Sequence, residues 1–332
     1  MPAVRSARLR SLAKINLDLR VLHKNPDGFH DMRTVFQTIS LADVIDIEFE
    51  PAKRTSINID DPLSIGDNLI VRAAQRVLDA LKLKARVHFR LTKKIPMGGG
   101  LGGGSSNAAA VLLALPVLAG RCLPVEKLLE LGAGLGSDVP FFLLGGAAVG
   151  VGRGTELHPL PDLAEEPLLL AASGIHVSTP DAYKALKRGL TFPRLSPIIN
   201  SFQAAVWALQ QARSAAAASP FCANDFEASV FRRHPQLHTI RAKLSGVAVG
   251  ARMSGSGSAI FALFRSAKER DLAEKLLLGD PVFEGCRLMR CALVSRKNYQ
   301  RLWRRRLRQH LAPVINLSVE SWPPQSRYRK NE

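Results

Sequence analysis

Apolar and polar positions alternate along the first fifty residues. In AKINLDLRVL (13–22), Ile15, Leu17, Leu19 and Val21 share one face at period two, which predicts a strand. TVFQTI (34–39) and DVIDIEF (43–49) predict two more, with a Pro-Asp-Gly turn in KNPDGFH (24–30). These runs predict an antiparallel N-terminal sheet. The spacing becomes helical over 67–83, where Leu69, Ile70, Ala73, Val77, Leu78 and Leu81 recur and Asp67 or Asn68 serves as cap. A strand follows over 85–96, then a glycine-rich loop running into an apolar helix over 97–115, and a short helix over 123–136. Residues 137–154 start as a helix or turn and continue as a glycine-studded strand. Beyond them come a strand, loop and helix start over 167–186, a low-complexity surface segment over 210–220 and a helix over 224–244. A strand, Gly/Ser turn and strand over 246–264, a helix over 267–278 and a last strand over 286–295 complete the pattern. Strands and helices mix without βαβα alternation, so the predicted class is α+β. The boundaries fall at 1–160 for an N-terminal lobe, 161–297 for a C-terminal lobe and 298–332 for a basic tail that is expected to be partly disordered.

The chemistry concentrates in PMGGGLGGGSSNAA (96–109). Six glycines strip the loop of side chains, so its amides can approach an anion, and the helix that follows adds free N–H donors and a partial positive charge. Together they make a polyphosphate cradle. It lacks the lysine of a P-loop and the acidic partner of a dinucleotide fold. Two other segments fit beside it. RMSGSGSAIFAL (252–263) is a second Gly/Ser turn, readable alone as a plain hairpin. LGSDVPFF (135–142) sets Asp138 before an apolar run, either as a helix cap or as a general base.

Composition changes this picture in one respect. The chain of 332 residues is 46% hydrophobic and 22% charged, ordinary for a globular protein, but its net charge is +18. Much of the excess sits in 295–310 and 326–332, so it speaks mainly of the tail. A basic helix over 298–315 with Leu302, Trp303 and Leu307 on its apolar side is an alternative to disorder there. The four cysteines show no metal-ligand spacing and read as reduced thiols suited to the cytoplasm. The N-terminus has no apolar run of a signal peptide, and no 18-residue apolar stretch predicts membrane insertion.

The three segments in this order resemble the GHMP kinases. GLGGGSSNAA (100–109), AKINLDL (13–19), PDGFHDM (26–32), DNLIVRAA (67–74) and GSDVPFF (136–142) narrow the likeness to members acting on diphosphocytidyl polyols in non-mevalonate isoprenoid synthesis. The resemblance covers residues 8 to about 295 and implies a ribosomal-protein-S5-like N-terminal lobe, a ferredoxin-like C-terminal lobe and a cleft between them. It implies ATP-dependent phosphorylation of the polyol's 2-hydroxyl, with Asp138 taking the proton and Lys14 beside it. On alternation alone Lys14 would face solvent.

The same resemblance makes Asn16 and Thr179 substrate contacts, His30 the reader of the cytosine edge, and Phe29 and Tyr183 the rings that stack the base. Phe29 departs from the family's usual tyrosine and loses its hydroxyl. For ATP it implies Asn68, Lys94, Pro96, Met97, Gly98, Gly99, Gly100, Leu101, Gly102, Gly103, Gly104, Ser105, Ser106 and Asn107, with Ser106 beside a Mg²⁺ otherwise held by phosphate oxygens and water. Ser254, Gly255 and Ser256 are expected on the phosphate side. The partners implied are thus small molecules, with no nucleic acid. Two rivals remain: a homoserine- or mevalonate-class kinase, which needs no cytosine clamp, and a nucleic-acid-binding protein, which would need aromatic and basic residues interleaved on a β surface.

Overall fold

The computed structural model describes residues 4–186, 196–312 and 322–328. Its first strand, β1 (Arg5–Lys24), runs antiparallel to a long β2 (His30–Pro51), so the two runs expected as separate strands over 34–49 are one. Next come β3 (Ser56–Asp60), α1 (Leu69–Ala80) and β4 (Ala85–Thr92). β4 pairs parallel to β3, because α1 supplies the crossover that a parallel pair needs. Asn68, rather than Asp67, caps α1 by accepting from the Ile70 amide.

Three helices pack on this sheet: α2 (Gly103–Ala119), α3 (Val125–Leu135) and α4 (Val139–Leu144). Residues 106–118 of α2 are all buried, which explains why its sequence is apolar on every side. β5 (Ala147–Gly152) and β6 (Glu156–Pro159) complete a six-stranded sheet. β2 is shared along its length: its first part pairs with β5 and its last part with β4.

The second sheet begins with β7 (Pro167–Ala172), followed by α5 (Thr179–Ala185) and α6 (Ser196–Ala212). The 210–220 segment, expected to be a flexible surface stretch, contains the short α7 (Ala215–Ala218), whose Ala215, Ala216 and Ala218 are buried. Alanines need little room, so a low-complexity run can pack as well as a varied one. The helix expected over 224–244 is two, α8 (Phe226–Arg233) and α9 (Pro235–Val247), broken where Pro235 forbids continuation. Strands β8 (Gly250–Met253) and β9 (Ile260–Leu263), helix α10 (Ala267–Leu278) and strand β10 (Arg287–Ala292) follow. The sheet order is β10-β7-β9-β8, antiparallel throughout. A core that includes Ala13, Ile15 and Leu17 of β1 and Leu168, Leu170 and Phe261 of the second sheet joins the two halves, so β1 is buried on both faces in its middle.

Within the described part of the tail, the helix offered as the alternative to disorder is present. α11 (Arg296–Leu307) buries Tyr299, Trp303 and Leu307 in the core of the first sheet and its helices. Beyond it, His310 contacts the Ser6 carbonyl at 2.7 Å, Ser326 donates to Val117 O at 2.7 Å, and Arg5 lies 4.0 Å over the Tyr328 ring. The remaining tail residues, 313–321 and 329–332, lie outside the described residues. No described helix is long and apolar enough to cross a membrane.

Candidate active site

A bulge in β1 sets the centre of the site. The β1–β2 register shifts between Leu12 and Lys14, which frees the Lys14 amide to donate to Leu101 O of the glycine loop at 3.0 Å. The Lys14 side chain is then 4% exposed, beneath that loop. A buried ammonium requires partners. It donates to Asn16 Oδ1 at 2.7 Å and pairs with Asp138 Oδ2 at 3.3 Å. Asp138 stands at the cap position of α4, yet its side chain makes no capping bond. Its carboxylate, 32% exposed, instead faces Lys14 and the cleft, which decides against the cap reading.

The glycine loop is fixed from behind. Ser254, fully buried, accepts from the Asn16 amide at 3.3 Å and donates to Gly100 O at 3.0 Å. A Cβ on Gly100 would lie 2.1 Å from Ser254 O, and Gly100 has φ +72°, so no other residue fits there. α2 starts at Gly102 with no side-chain cap, which leaves the amides of its first turn to a ligand. Asn224, unremarked in the sequence, donates to Met253 O at 2.7 Å and Gly255 O at 2.8 Å and shapes the Gly/Ser turn. Among that turn's residues, Gly255 and Ser256 line the cleft, and Ser256 shares a 2.8 Å hydrogen bond with Thr179.

One cavity of about 610 Å³ gathers Lys14, Asn16, Phe29, His30, Gly100, Gly102, Ser105, Asp138, Thr179 and Tyr183. Its far wall differs from the expected sandwich. The His30 ring stacks on Tyr183 at 4.7 Å, and Phe29, 50% exposed, carries the Arg153 guanidinium 3.7 Å over its face. Each of the two rings expected to stack the base thus carries another planar group against one face. Burial, and then the charge of Asp138, pushes the Tyr183 phenol up to about 12. Burial, and then the charges of Lys24 and His23, holds the His30 imidazole below its usual value.

Several residues expected to contact the nucleotide are not on the wall of this cavity. Asn107 is buried and committed to Ser11 and to Asp43, at 3.1 Å from the latter, so it braces the loop rather than facing the cleft. Ser106, 1% exposed, donates to Leu12 O at 2.6 Å; of the two serines it is Ser105 that lines the cavity. Asn68 spends its carbonyl on capping α1 and its amide on Asp61 at 3.0 Å. Lys94 and Met97 are exposed at the entrance to the loop. These polar residues sit in the motif because a loop without side chains needs struts around it. Arg153, Lys24 and Ser137 line the cavity and escaped the sequence reading, although a lone arginine within VGVGRG was a visible signal. Among the described residues, no group of three or more His, Cys, Asp or Glu side chains is placed to hold a metal.

Residues 68–146 match the GHMP kinases N terminal domain, and residues 205–278 match the GHMP kinases C terminal domain. Over 336 aligned residues the chain is 53% identical to 4-diphosphocytidyl-2-C-methyl-D-erythritol kinase of Solibacter usitatus, covering 99% of each. The chain belongs to the 4-diphosphocytidyl-2-C-methyl-D-erythritol kinase family. A second member of the family, from Gloeobacter violaceus, is 37% identical over 85% of this chain and 93% of its own length. A crystal structure of a 4-(cytidine 5'-diphospho)-2C-methyl-D-erythritol kinase superposes with a TM-score of 0.70 at 33% identity, covering 86% of this chain and 98% of that one. Homoserine kinase from Cytophaga hutchinsonii, at 19% identity and a TM-score of 0.64, shares the fold alone. The α+β, two-lobed class expected from sequence is the one found. Membership of this family makes the chain an ATP-dependent small-molecule kinase and decides against the homoserine- or mevalonate-class alternative.

Proposed function

We propose that the chain phosphorylates the 2-hydroxyl of 4-diphosphocytidyl-2-C-methyl-D-erythritol, with Asp138 as base and Lys14 as its electrostatic partner. The observation that carries this is the 3.3 Å pair of Lys14 and Asp138 on the wall of the cavity that also holds the glycine loop and the aromatic rim. The loop amides and the start of α2 hold the phosphates of ATP, and adenine lies toward Pro96 and Lys94. The accepting hydroxyl sits between Asp138 and the γ-phosphate. Its proton passes to Asp138 as its oxygen bonds phosphorus, and the bond to the β-phosphate oxygen breaks to release ADP. The Lys14 ammonium, anchored by Asn16, steadies the oxygen as negative charge develops.

The donor set fits Mg²⁺ carried chiefly by the nucleotide. The Ser105 hydroxyl lies on the cavity wall, and among the described residues no cluster of three or more His, Cys, Asp or Glu competes for the ion, in keeping with magnesium's retention of water and phosphate ligands. When bound, the ion neutralises charge on the phosphates; Ser105 replaces Ser106 as the residue beside it. The cytosine end is recognised at the rim, with His30 and Phe29 giving up their present ring partners to the base.

The test is ADP release from Mg-ATP and 4-diphosphocytidyl-2-C-methyl-D-erythritol, with Asp138→Asn run in parallel. The expected result is turnover by the wild type and a fall of about 10³-fold or more in the variant. Wild-type inactivity on this substrate, or a variant that matches the wild type, overturns the reading.

A further inference from the structure

The tail is built against the helix that presents Asp138. α4 has six residues, too few to hold a helix in place by its own hydrogen bonds. Its last carbonyls have few partners within the helix. Two of them are met by side chains from the tail. The Tyr299 hydroxyl, 1% exposed, donates to Phe142 O, and Trp322 Nε1 donates to Leu143 O at 2.8 Å. Just beyond, the Arg296 guanidinium donates to Gly145 O at 3.2 Å and Leu160 O at 3.1 Å.

The seat is shaped for these side chains. A Cβ on Gly145 would lie 2.2 Å from Tyr299 Cδ1, and one on Gly146 would lie 2.6 Å from Arg296 Cβ. The same short helix carries Asp138 at its N-terminal cap position and packs toward the glycine loop. The Phe142 ring lies 2.8 Å from where Gly102 of the glycine loop would carry a Cβ. Phe141 packs at 4.9 Å on Phe36, and the Lys14 ammonium lies 5.3 Å over the Phe36 ring. A displacement at the C-terminal carbonyls of so short a helix therefore reaches Asp138 and Lys14 as a rigid-body shift.

We propose that Tyr299 and Trp322 are positioning residues for phosphoryl transfer, fixing α4 by its C-terminal carbonyls so that Asp138 is held against Lys14. The inference rests on the reading of Asp138 as the base. It gives the basic tail a task in turnover, distinct from merely covering apolar surface. Misplacement of a reacting group by about 1 Å costs up to about 100-fold in rate, so small shifts suffice.

Tyr299→Phe and Trp322→Phe each remove one donor and keep a ring. Each is expected to lower kcat by about 5- to 20-fold, with KM for ATP and for the diphosphocytidyl substrate within about twofold of wild type. These rates are normalised to the folded fraction measured by circular dichroism. Arg305→Ser, on the exposed side of α11, is the control and is expected to behave as wild type. Should Tyr299→Phe not fold, Trp322→Phe carries the same test at a part-buried site. Unchanged kcat in the folded variants overturns the proposal. So does a loss that appears in KM, or one that vanishes on normalisation. Asp138→Asn assayed alongside separates the two readings: full activity in it overturns both, whereas its inactivity beside an unimpaired Tyr299→Phe overturns only the positioning role.

Discussion

At the floor of the cleft, polar atoms around Lys14 are locked to other buried atoms. Asn16 is held by Lys14 at 2.7 Å and by Thr34 at 2.7 Å, Ser254 spans β1 and the glycine loop, and Ser106 is turned into β1. At the rim the contacts are between rings and a guanidinium: His30 on Tyr183, Arg153 on Phe29. These faces can exchange one partner for another without leaving a buried polar atom unpaired. The floor must keep charges in register for chemistry, and preorganisation there acts on the transition state. On the function proposed above the rim admits and releases a base, and stacking tolerates that because it asks only for a flat face.

Substitutions that separate rate from affinity test this contrast. The largest effect is expected for Lys14→Met, which removes the buried ammonium and leaves Asp138 facing the cleft alone. Its kcat should fall by about 10³-fold with little change in KM for the diphosphocytidyl substrate, measured by steady-state ADP release. A loss confined to KM would erase the distinction. At the rim, Phe29→Ala should do the reverse. Loss of one stacking face, worth about 1–3 kcal/mol, should raise the KM for that substrate about tenfold and leave kcat nearly intact.

The smallest effect concerns His30. Its imidazole titrates below 6.5 because of burial first and of Lys24 and His23 after it. The folded protein thus binds this proton less readily than the unfolded chain, so stability is lost as pH falls through the window below 6.5. Lys24→Met removes one of these causes. An NMR titration of His30 in that variant should move toward 6.5 without reaching it, since burial persists. A titration that does not move would show that the rim is as insulated as the floor.

The sequence was most legible where structure removes side chains. The glycines of 98–104 announce a phosphate cradle because no packed core asks for such a run, whereas the turn at 254–256 alone reads equally as a hairpin. It was least legible where polar residues are buried. Alternation marks Ile15, Leu17 and Leu19 as the inner face of β1, but Lys14, Asn16 and Asp18 are buried as well, since β1 lies between the two halves. Without the family's motif the outward reading of Lys14 would have stood. The motif also misled, because it does not separate Ser105, on the cavity wall, from Ser106 and Asn107 behind it. Helical phase would have separated them, since adjacent residues on a helix point about 100° apart. In α11 the apolar side read from sequence held Leu302, Trp303 and Leu307 but not Tyr299, although Tyr299, Trp303 and Leu307 recur every four residues and form the buried stripe.

The docking of residues 296–312 and 322–328 on α4 and β1 also fixes a sequence of events during synthesis. Chains grow at about 5–20 residues per second, so α4 leaves the ribosome on the order of 10 s before Arg296 does. Through that interval the carbonyls of Phe142 and Leu143 await Tyr299 and Trp322, and the Ser6 carbonyl awaits His310. The glycine loop and its helix can be folded early, whereas the fastening of α4 waits until Tyr299 and Trp322 have emerged.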